Sequence, residues 1–322
     1  MITLITESHN YSKKAIEIYK SLGQVFSLKE IKNNAILEKK ILGGANILVV
    51  RNLTQVDKKL VDSLPNLKIV ASPTTGLNHI DVGYLKKKKI KLITLRGRKG
   101  FLKNITSTAE HTMALILSLY RHIPWSFDEV KKGKWPRDEF IGNQLKGKML
   151  GILGYGRLGK IVRQYAKAFK MNIISHDPNV SSKKMKKDGV ESVGMEELFK
   201  KSDIVSIHVL LTPETYDLIK LKHLRSMKKT AILINTSRGE LVEKNALFEA
   251  LKNKWIRGAA IDVMHDEKKD GAHLKKDPLR AYSKNNKNLL ITSHLGGVSF
   301  EAMAATEDFI ANLVKSWIKN IK

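Results

Sequence analysis

The chain has 322 residues, 42% apolar and 28% charged, which is ordinary for a globular protein and long enough for two domains with sizeable cores. It has no cysteine, so a disulfide framework, a Cys metal site and a thiol nucleophile are all excluded, and no metal is expected. The net charge of +27 raises a nucleic-acid reading, but the excess is Lys in short scattered runs such as 86–89 and 183–187. Arg is scarce and no helix-turn-helix or aromatic stacking set accompanies those runs, so they read as solvated surface rather than as a nucleic-acid site.

The first residues, MITLITESHN, carry Glu7 and lack a basic region ahead of a long apolar core, so no signal peptide is expected. The most apolar stretch, 113–119, is too short to span a bilayer, and the cytoplasm is the expected location. Strands are predicted at 2–6, 45–51, 67–71 and 90–95, with helical patches at 12–22 and 81–88 between them, the second capped by Asp81. This is a doubly wound pattern without a Gly-rich fingerprint of its own. The loop Ser72-Pro73-Thr74-Thr75-Gly76 follows a strand end, the place where open α/β sheets bind ligands. A helix capped by Ser107 or Thr108, with Glu110 behind, is predicted to run to Arg121. It is apolar nearly all round, so both of its faces must be covered, and a second subunit is one candidate cover. Residues 123–146 break the pattern and read as an arm or linker.

Residues 148–177 carry the strongest signal in the chain. An apolar run at 149–153 reads as a buried parallel strand, and Gly154, Gly156 and Gly159 follow as G-x-G-x-x-G. Ile161, Val162, Tyr165, Ala166 and Phe169 then recur at helical spacing, and a second strand, 171–175, leads to Asp177. Gly154 permits the turn, Gly156 admits a pyrophosphate against the backbone, and Gly159 lets the helix close on the strand. Asp177 stands where a carboxylate accepts from an adenosine ribose. The stretch therefore predicts a dinucleotide site.

Beyond it, strands are expected at 204–209, 230–235, 259–263 and 289–292, with a helix at 245–252. A last helix at 299–319 is predicted to turn Met303, Phe309, Leu313 and Trp317 inward. Three of these strands end in polar runs that a packing account does not need: Asn235-Thr236-Ser237-Arg238-Gly239-Glu240, Asp262-Val263-Met264-His265-Asp266-Glu267 and Thr292-Ser293-His294-Leu295-Gly296-Gly297. In a doubly wound sheet such ends line the crevice used by the Gly-rich turn. Arg238, Glu267 and His294 meeting there would supply a carboxylate clamp, an orienting acid and a proton donor. His79, His111 and His208 read as structural.

These three runs, with Gly154-Tyr155-Gly156-Arg157-Leu158-Gly159, resemble the signatures of the D-isomer-specific 2-hydroxyacid dehydrogenases. The resemblance extends to Thr75-Gly76-Leu77-Asn78-His79-Ile80-Asp81 and to 107–110, end to end along the chain. It implies an α/β protein of two doubly wound, Rossmann-like domains. The first, 1–106 plus 293–322, is the substrate domain, flavodoxin-like and completed by the C-terminal helix; 107–292 bind NAD. It implies that Arg238 grips the substrate carboxylate, His294 moves the proton and Glu267 pairs with His294, while backbone at Thr75 and Gly76 helps hold the substrate. Arg157, Leu158, Asp177, Thr236, Asp262 and Gly297 are implied to contact NAD, with Asp262 reaching its carboxamide.

The resemblance further implies interconversion of a 2-keto acid and a D-2-hydroxy acid, and a homodimer. A formate dehydrogenase is the rival within the fold, but that branch carries Gln where Glu267 stands. A rival of another class is an NAD-sensing, corepressor-like binding protein, which the basic surface keeps in play. Ser293 and Leu210 stand where the family often has Pro, which bears on local loop geometry rather than on a reacting group.

Overall fold

A computed structural model describes residues 1–31, 35–268 and 271–320. The chain divides into two units, Met1–Asn104 with the segment from Ser299 onward, and Ile105–Val298. The division thus falls a few residues from that expected, and His294 belongs to the second unit, not the first. Its loop is hydrogen-bonded back to Asp262 on the neighbouring strand end, as detailed below, which ties it to the second sheet.

In the first unit β1 (Ile2–Ile5), β2 (Gln24–Ser27), β3 (Ile47–Val49), β4 (Ile69–Ser72) and β5 (Lys91–Thr94) form one parallel sheet. Its order, β2-β1-β3-β4-β5, is the flavodoxin-like order. The central strands are apolar and wholly buried, as a parallel sheet covered on both faces requires. β2 is not among the strands expected from the sequence, because it is a half-exposed edge strand without clean alternation. The 20-residue helix Phe300–Lys319 packs on the helix Lys13–Lys20 and starts at Ser299, whose hydroxyl accepts from the Ala302 amide. Its inward stripe is Ala302, Thr306, Glu307, Ile310, Ala311, Val314 and Ile318. Met303, Phe309, Leu313 and Trp317, expected inward, are only half-buried. The helix is turned because Glu307, 1% exposed, accepts from the Ser12 amide at 2.6 Å and from Arg51 Nε at 2.8 Å. A carboxylate with such partners can be buried where an apolar stripe was predicted.

In the second unit β6 (Met149–Leu153), β7 (Asn172–His176), β8 (Glu191–Ser192), β9 (Ile204–Ile207), β10 (Ile232–Asn235), β11 (Gly258–Ile261) and β12 (Leu289–Ile291) make a parallel seven-stranded sheet. Counted within the unit, the order β8-β7-β6-β9-β10-β11 is the 3-2-1-4-5-6 of a Rossmann domain, with β12 added at the far edge. The helix Ser107–Tyr120 buries Ala109, Thr112, Met113, Leu115, Ile116, Leu119 and Tyr120 against this unit's own core, so one chain supplies most of its cover. Ser107 does not cap it. The cap position is Thr106, and its hydroxyl donates to Glu110 at 2.5 Å instead of capping the helix. The region read as an arm contains a helix, Ile123–Lys131, with Pro124 in its first turn, and a 3-10 turn, Arg137–Phe140. Among the described residues no helix is long and apolar enough to cross a membrane.

Candidate active site

The turn between β6 and the helix Arg157–Ala168 is shaped by glycine. Gly154 sits at φ +94°, and a Cβ on Gly159 would lie 2.3 Å from the Gly154 carbonyl oxygen, so helix and strand touch backbone to backbone. Gly156 stands at the helix cap with no side-chain cap bond, leaving first-turn amides for an anion. Asp177, just past β7, is held by the Tyr155 amide on Oδ2 and the Asn179 amide on Oδ1, both at 2.8 Å. These features fit a dinucleotide: a cradle that only glycine admits, open amides for the pyrophosphate, and an oriented carboxylate for the ribose. Leu158 packs on the core, and Arg157 Nη1 donates to the Ile105 carbonyl at 2.5 Å, with burial pushing the guanidinium down.

The ends of β10, β11 and β12 bring the predicted reacting groups together. After β10, Asn235 accepts from the Ser237 amide and donates to the Arg238 carbonyl, a local turn that fixes the start of the loop. Arg238 Nη1 donates to the Ser237 carbonyl at 2.7 Å; its Nε and Nη2 have no acceptor among the described residues. A Cβ on Gly239 would fall 2.2 Å from the Met264 carbonyl carbon, so the Arg238 loop lies directly on the backbone of the Glu267 loop. Glu267 accepts from the Met264 amide at 2.8 Å through Oε1 and meets His294 Nδ1 at 2.6 Å through Oε2. Burial pushes the Glu267 carboxyl up, but the bond and charge of His294, the Met264 amide and the Arg238 charge outweigh it and hold it low. An ionised Glu267 only accepts, so the shared proton sits on His294 Nδ1, and Nε2 has no hydrogen-bond partner among the described residues. Burial pushes the Arg238 guanidinium down, opposed by Glu267 and Glu240. The side chains of His294 and Glu267 stay 29% and 33% exposed, open enough for a substrate to reach.

His294 has φ +58°, a left-handed backbone that a non-glycine residue adopts only when its surroundings impose it. Asp262 imposes it. Its carbonyl accepts from the His294 amide at 2.9 Å, its Oδ1 from Leu295 N at 2.7 Å and Thr292 Oγ1 at 2.5 Å, and its Oδ2 from Gly296 N at 2.7 Å. Asp262 is 1% exposed. The two residues that the sequence reading left out are His111, with Nε2 at 3.1 Å from Asp262 Oδ1, and Ser107, whose hydroxyl donates to the Gly296 carbonyl. Their only advance signal was a His and a Ser one helical turn apart at a helix start. Thr236 is buried and meets Thr112 Oγ1 at 2.9 Å, whereas Gly297 is exposed. In the first unit, the loop after β4 is stiffened by Thr74, whose hydroxyl donates to the Gly76 carbonyl; the Thr75 and Gly76 amides have no acceptor among the described residues.

A Rossmann sheet whose strand ends present an Arg and a Glu–His pair beside a nucleotide cradle defines a class of oxidoreductase, and the chain matches one such family directly. Residues 113–296 match the NAD binding domain of the D-isomer specific 2-hydroxyacid dehydrogenases, and the chain belongs to that family. It is 35% identical over 306 residues to the D-3-phosphoglycerate dehydrogenase of Methanocaldococcus jannaschii, covering 95% of this chain and 55% of that one. It is 38% identical over 275 residues to the glyoxylate reductase of Thermococcus litoralis, covering 83% of this chain and 79% of that one. The chain thus spans about half the length of the phosphoglycerate dehydrogenase and most of the reductase. Among solved structures, D-lactate dehydrogenase from Aquifex aeolicus, complexed with NAD and lactic acid, superposes with a TM-score of 0.82. It is 27% identical, and the match covers 99% of this chain and 96% of that one.

Proposed function

We propose that the protein is an NAD-dependent dehydrogenase that interconverts a small 2-keto acid and the corresponding D-2-hydroxy acid. The observation that carries this reading is the Glu267–His294 hydrogen bond, set within electrostatic range of an Arg238 fork that is only partly spent. NAD, when bound, gives or takes the hydride. Arg238 holds the substrate carboxylate through its unspent donors and polarises the keto oxygen. His294 delivers a proton to that oxygen from Nε2, so hydride and proton together make the hydroxy acid. Glu267 keeps the Nδ1 tautomer and stabilises the imidazolium. The residues in reach of NAD are Gly154, Gly156, Arg157, Leu158, Gly159, Asp177, Thr236, Asp262 and Gly297. The first unit is the substrate domain, and its unspent Thr75 and Gly76 amides are its candidates for holding substrate. A panel of glyoxylate, hydroxypyruvate, pyruvate and 3-phosphohydroxypyruvate, with NADH consumption followed optically, tests the reading. Turnover of none would sink it and would favour a cofactor-sensing binding protein.

Cofactor choice follows from Asp177. Its carboxylate accepts from a ribose hydroxyl and repels a 2′-phosphate. NADH is therefore expected to be preferred over NADPH by at least roughly tenfold in kcat/KM, about 1.4 kcal/mol. Equal efficiency with the two would refute this and point to Lys183 and Lys184 as a phosphate grip.

The protein works, in this reading, as a cytoplasmic homodimer. Ile123, Phe127 and Val130 share one face of their helix at i, i+4 and i+7 and are 52%, 62% and 44% exposed, while Trp135 and Ile141 beyond them are 83% and 77% exposed. Exposed large apolar groups concentrated in one short segment support a self-complementary contact there. Light scattering is expected to give twice the mass of the chain at micromolar concentration, and a stable monomer would rule the contact out.

A further inference from the structure

We infer that His111 is a positioning residue for this site, holding the His294 loop in place through Asp262 and Thr292. The inference rests on the reading above for its catalytic consequence and on the hydrogen-bond geometry alone for its structural one.

His111 Nε2 lies 3.1 Å from Asp262 Oδ1 and 3.2 Å from Thr292 Oγ1. The proton between the last two is already assigned, because Thr292 Oγ1 donates to Asp262 Oδ1. An ionised carboxylate has nothing to give, and the Thr292 hydroxyl has given its proton away. Both acceptors therefore need a donor from the imidazole, so Nε2 carries a proton shared between them. Asp262 is the buried hub of the loop. It gathers the Leu295 and Gly296 amides on its two oxygens while its carbonyl takes the His294 amide. Burial pushes its carboxyl up, and the bonds from His111, Thr292 and the two amides outweigh that and hold it below the usual carboxylate range. With the His111 donor removed, a buried oxygen anion loses one of its four donors, and the cost falls on the segment that keeps His294 left-handed.

The neighbours of His111 on the same helix point to the same purpose. One turn earlier, Ser107 donates to the Gly296 carbonyl at 2.9 Å; one residue later, Thr112 meets Thr236 at 2.9 Å, two residues before Arg238. A single helix start thus braces the loops that carry the clamp and the proton donor.

Two variants separate the donor from the ring. His111→Gln places an amide N–H near the position of Nε2, while His111→Leu fills the space and donates nothing. His111→Leu is expected to lower kcat by roughly tenfold or more, with Kd for ADP-ribose, which lacks the nicotinamide end near Asp262, kept within about threefold by calorimetry because the Gly154–Gly159 cradle is untouched. His111→Gln is expected to restore kcat to within about threefold of wild type. A fold-wide defect would instead lower ADP-ribose affinity and melting temperature in both variants. An unchanged kcat in His111→Leu overturns the inference, as does a His111→Gln variant no better than Leu. A measurement that needs no turnover guards the structural half. With 15N-labelled histidine, the resonance lost in His111→Gln is expected to show the Nε2–H tautomer at mildly alkaline pH; a bare Nε2 overturns the inference even if no substrate has been found. Wild-type enzyme inert on every keto acid, with that tautomer present, would refute the dehydrogenase reading and leave the brace standing.

Discussion

Replacing His294 by Asn is expected to lower kcat for keto-acid reduction by roughly 10²- to 10⁴-fold, the range lost when a positioned general acid is removed. Asn is the informative choice because it tolerates the left-handed backbone found at this position (φ +58°), so the loop keeps its course while the proton donor disappears. Glu267→Gln is the companion that reads the orientation of the ring. Burial raises the Glu267 carboxyl, His294 and the Met264 amide outweigh it, and the ionised carboxylate in turn keeps the proton on Nδ1. Gln keeps the shape but offers Nδ1 an uncharged oxygen or an amide N–H that favours the wrong tautomer. The value of kcat should therefore fall by roughly 10²-fold in both directions while KM for the keto acid changes little. If kcat stays within about threefold of wild type in both directions, Glu267 does not orient His294.

Arg238→Lys is expected to act differently. The guanidinium loses one donor to the Ser237 carbonyl and presents the rest as a planar fork suited to a carboxylate. Lys keeps the charge near Glu267 but offers a point donor on a flexible stem, so the bidentate geometry is lost. A hydrogen bond to a charged group is worth about 1.5–3 kcal/mol, so kcat/KM should fall by roughly 10- to 100-fold. Because the fork holds the substrate carboxylate, KM for the keto acid should rise and account for much of the loss. A loss confined to kcat, as for Glu267→Gln, would place Arg238 in the proton-transfer machinery rather than in substrate binding.

Much of the architecture was legible from local pattern. The apolar run at β6, the three glycines and the helical spacing behind them are short-range features, and each has a local cause: a buried strand, a turn at φ +94° and an amphipathic helix. The polar runs after β10, β11 and β12 stood out because nothing in packing calls for an Arg, a Glu and a His at the ends of buried strands. Where the local signal is weak, the sequence does not reveal the element. The edge strand β2 is half-exposed and does not alternate, and β8 has only two residues. The inward face of Phe300–Lys319 was misplaced because apolar periodicity cannot anticipate that Arg51, more than 250 positions away, would draw Glu307 into the core.

The sequence by itself determined the class of fold, the nucleotide cradle and the residue types available for chemistry, because these depend on backbone freedom, periodicity and side-chain inventory. Only the tertiary structure decided which of them act together. The bond between Glu267 and His294 closes across 27 positions, and the left-handed turn at His294 exists because Asp262 collects donors from two separate segments, the helix at His111 and the loop 292–296. His111 shows the difference most plainly. In the sequence it is one of several polar residues at the start of an otherwise apolar helix, and it reads as structural. In the fold its Nε2 reaches a carboxylate 151 positions away, and only that long-range contact gives the imidazole something to hold.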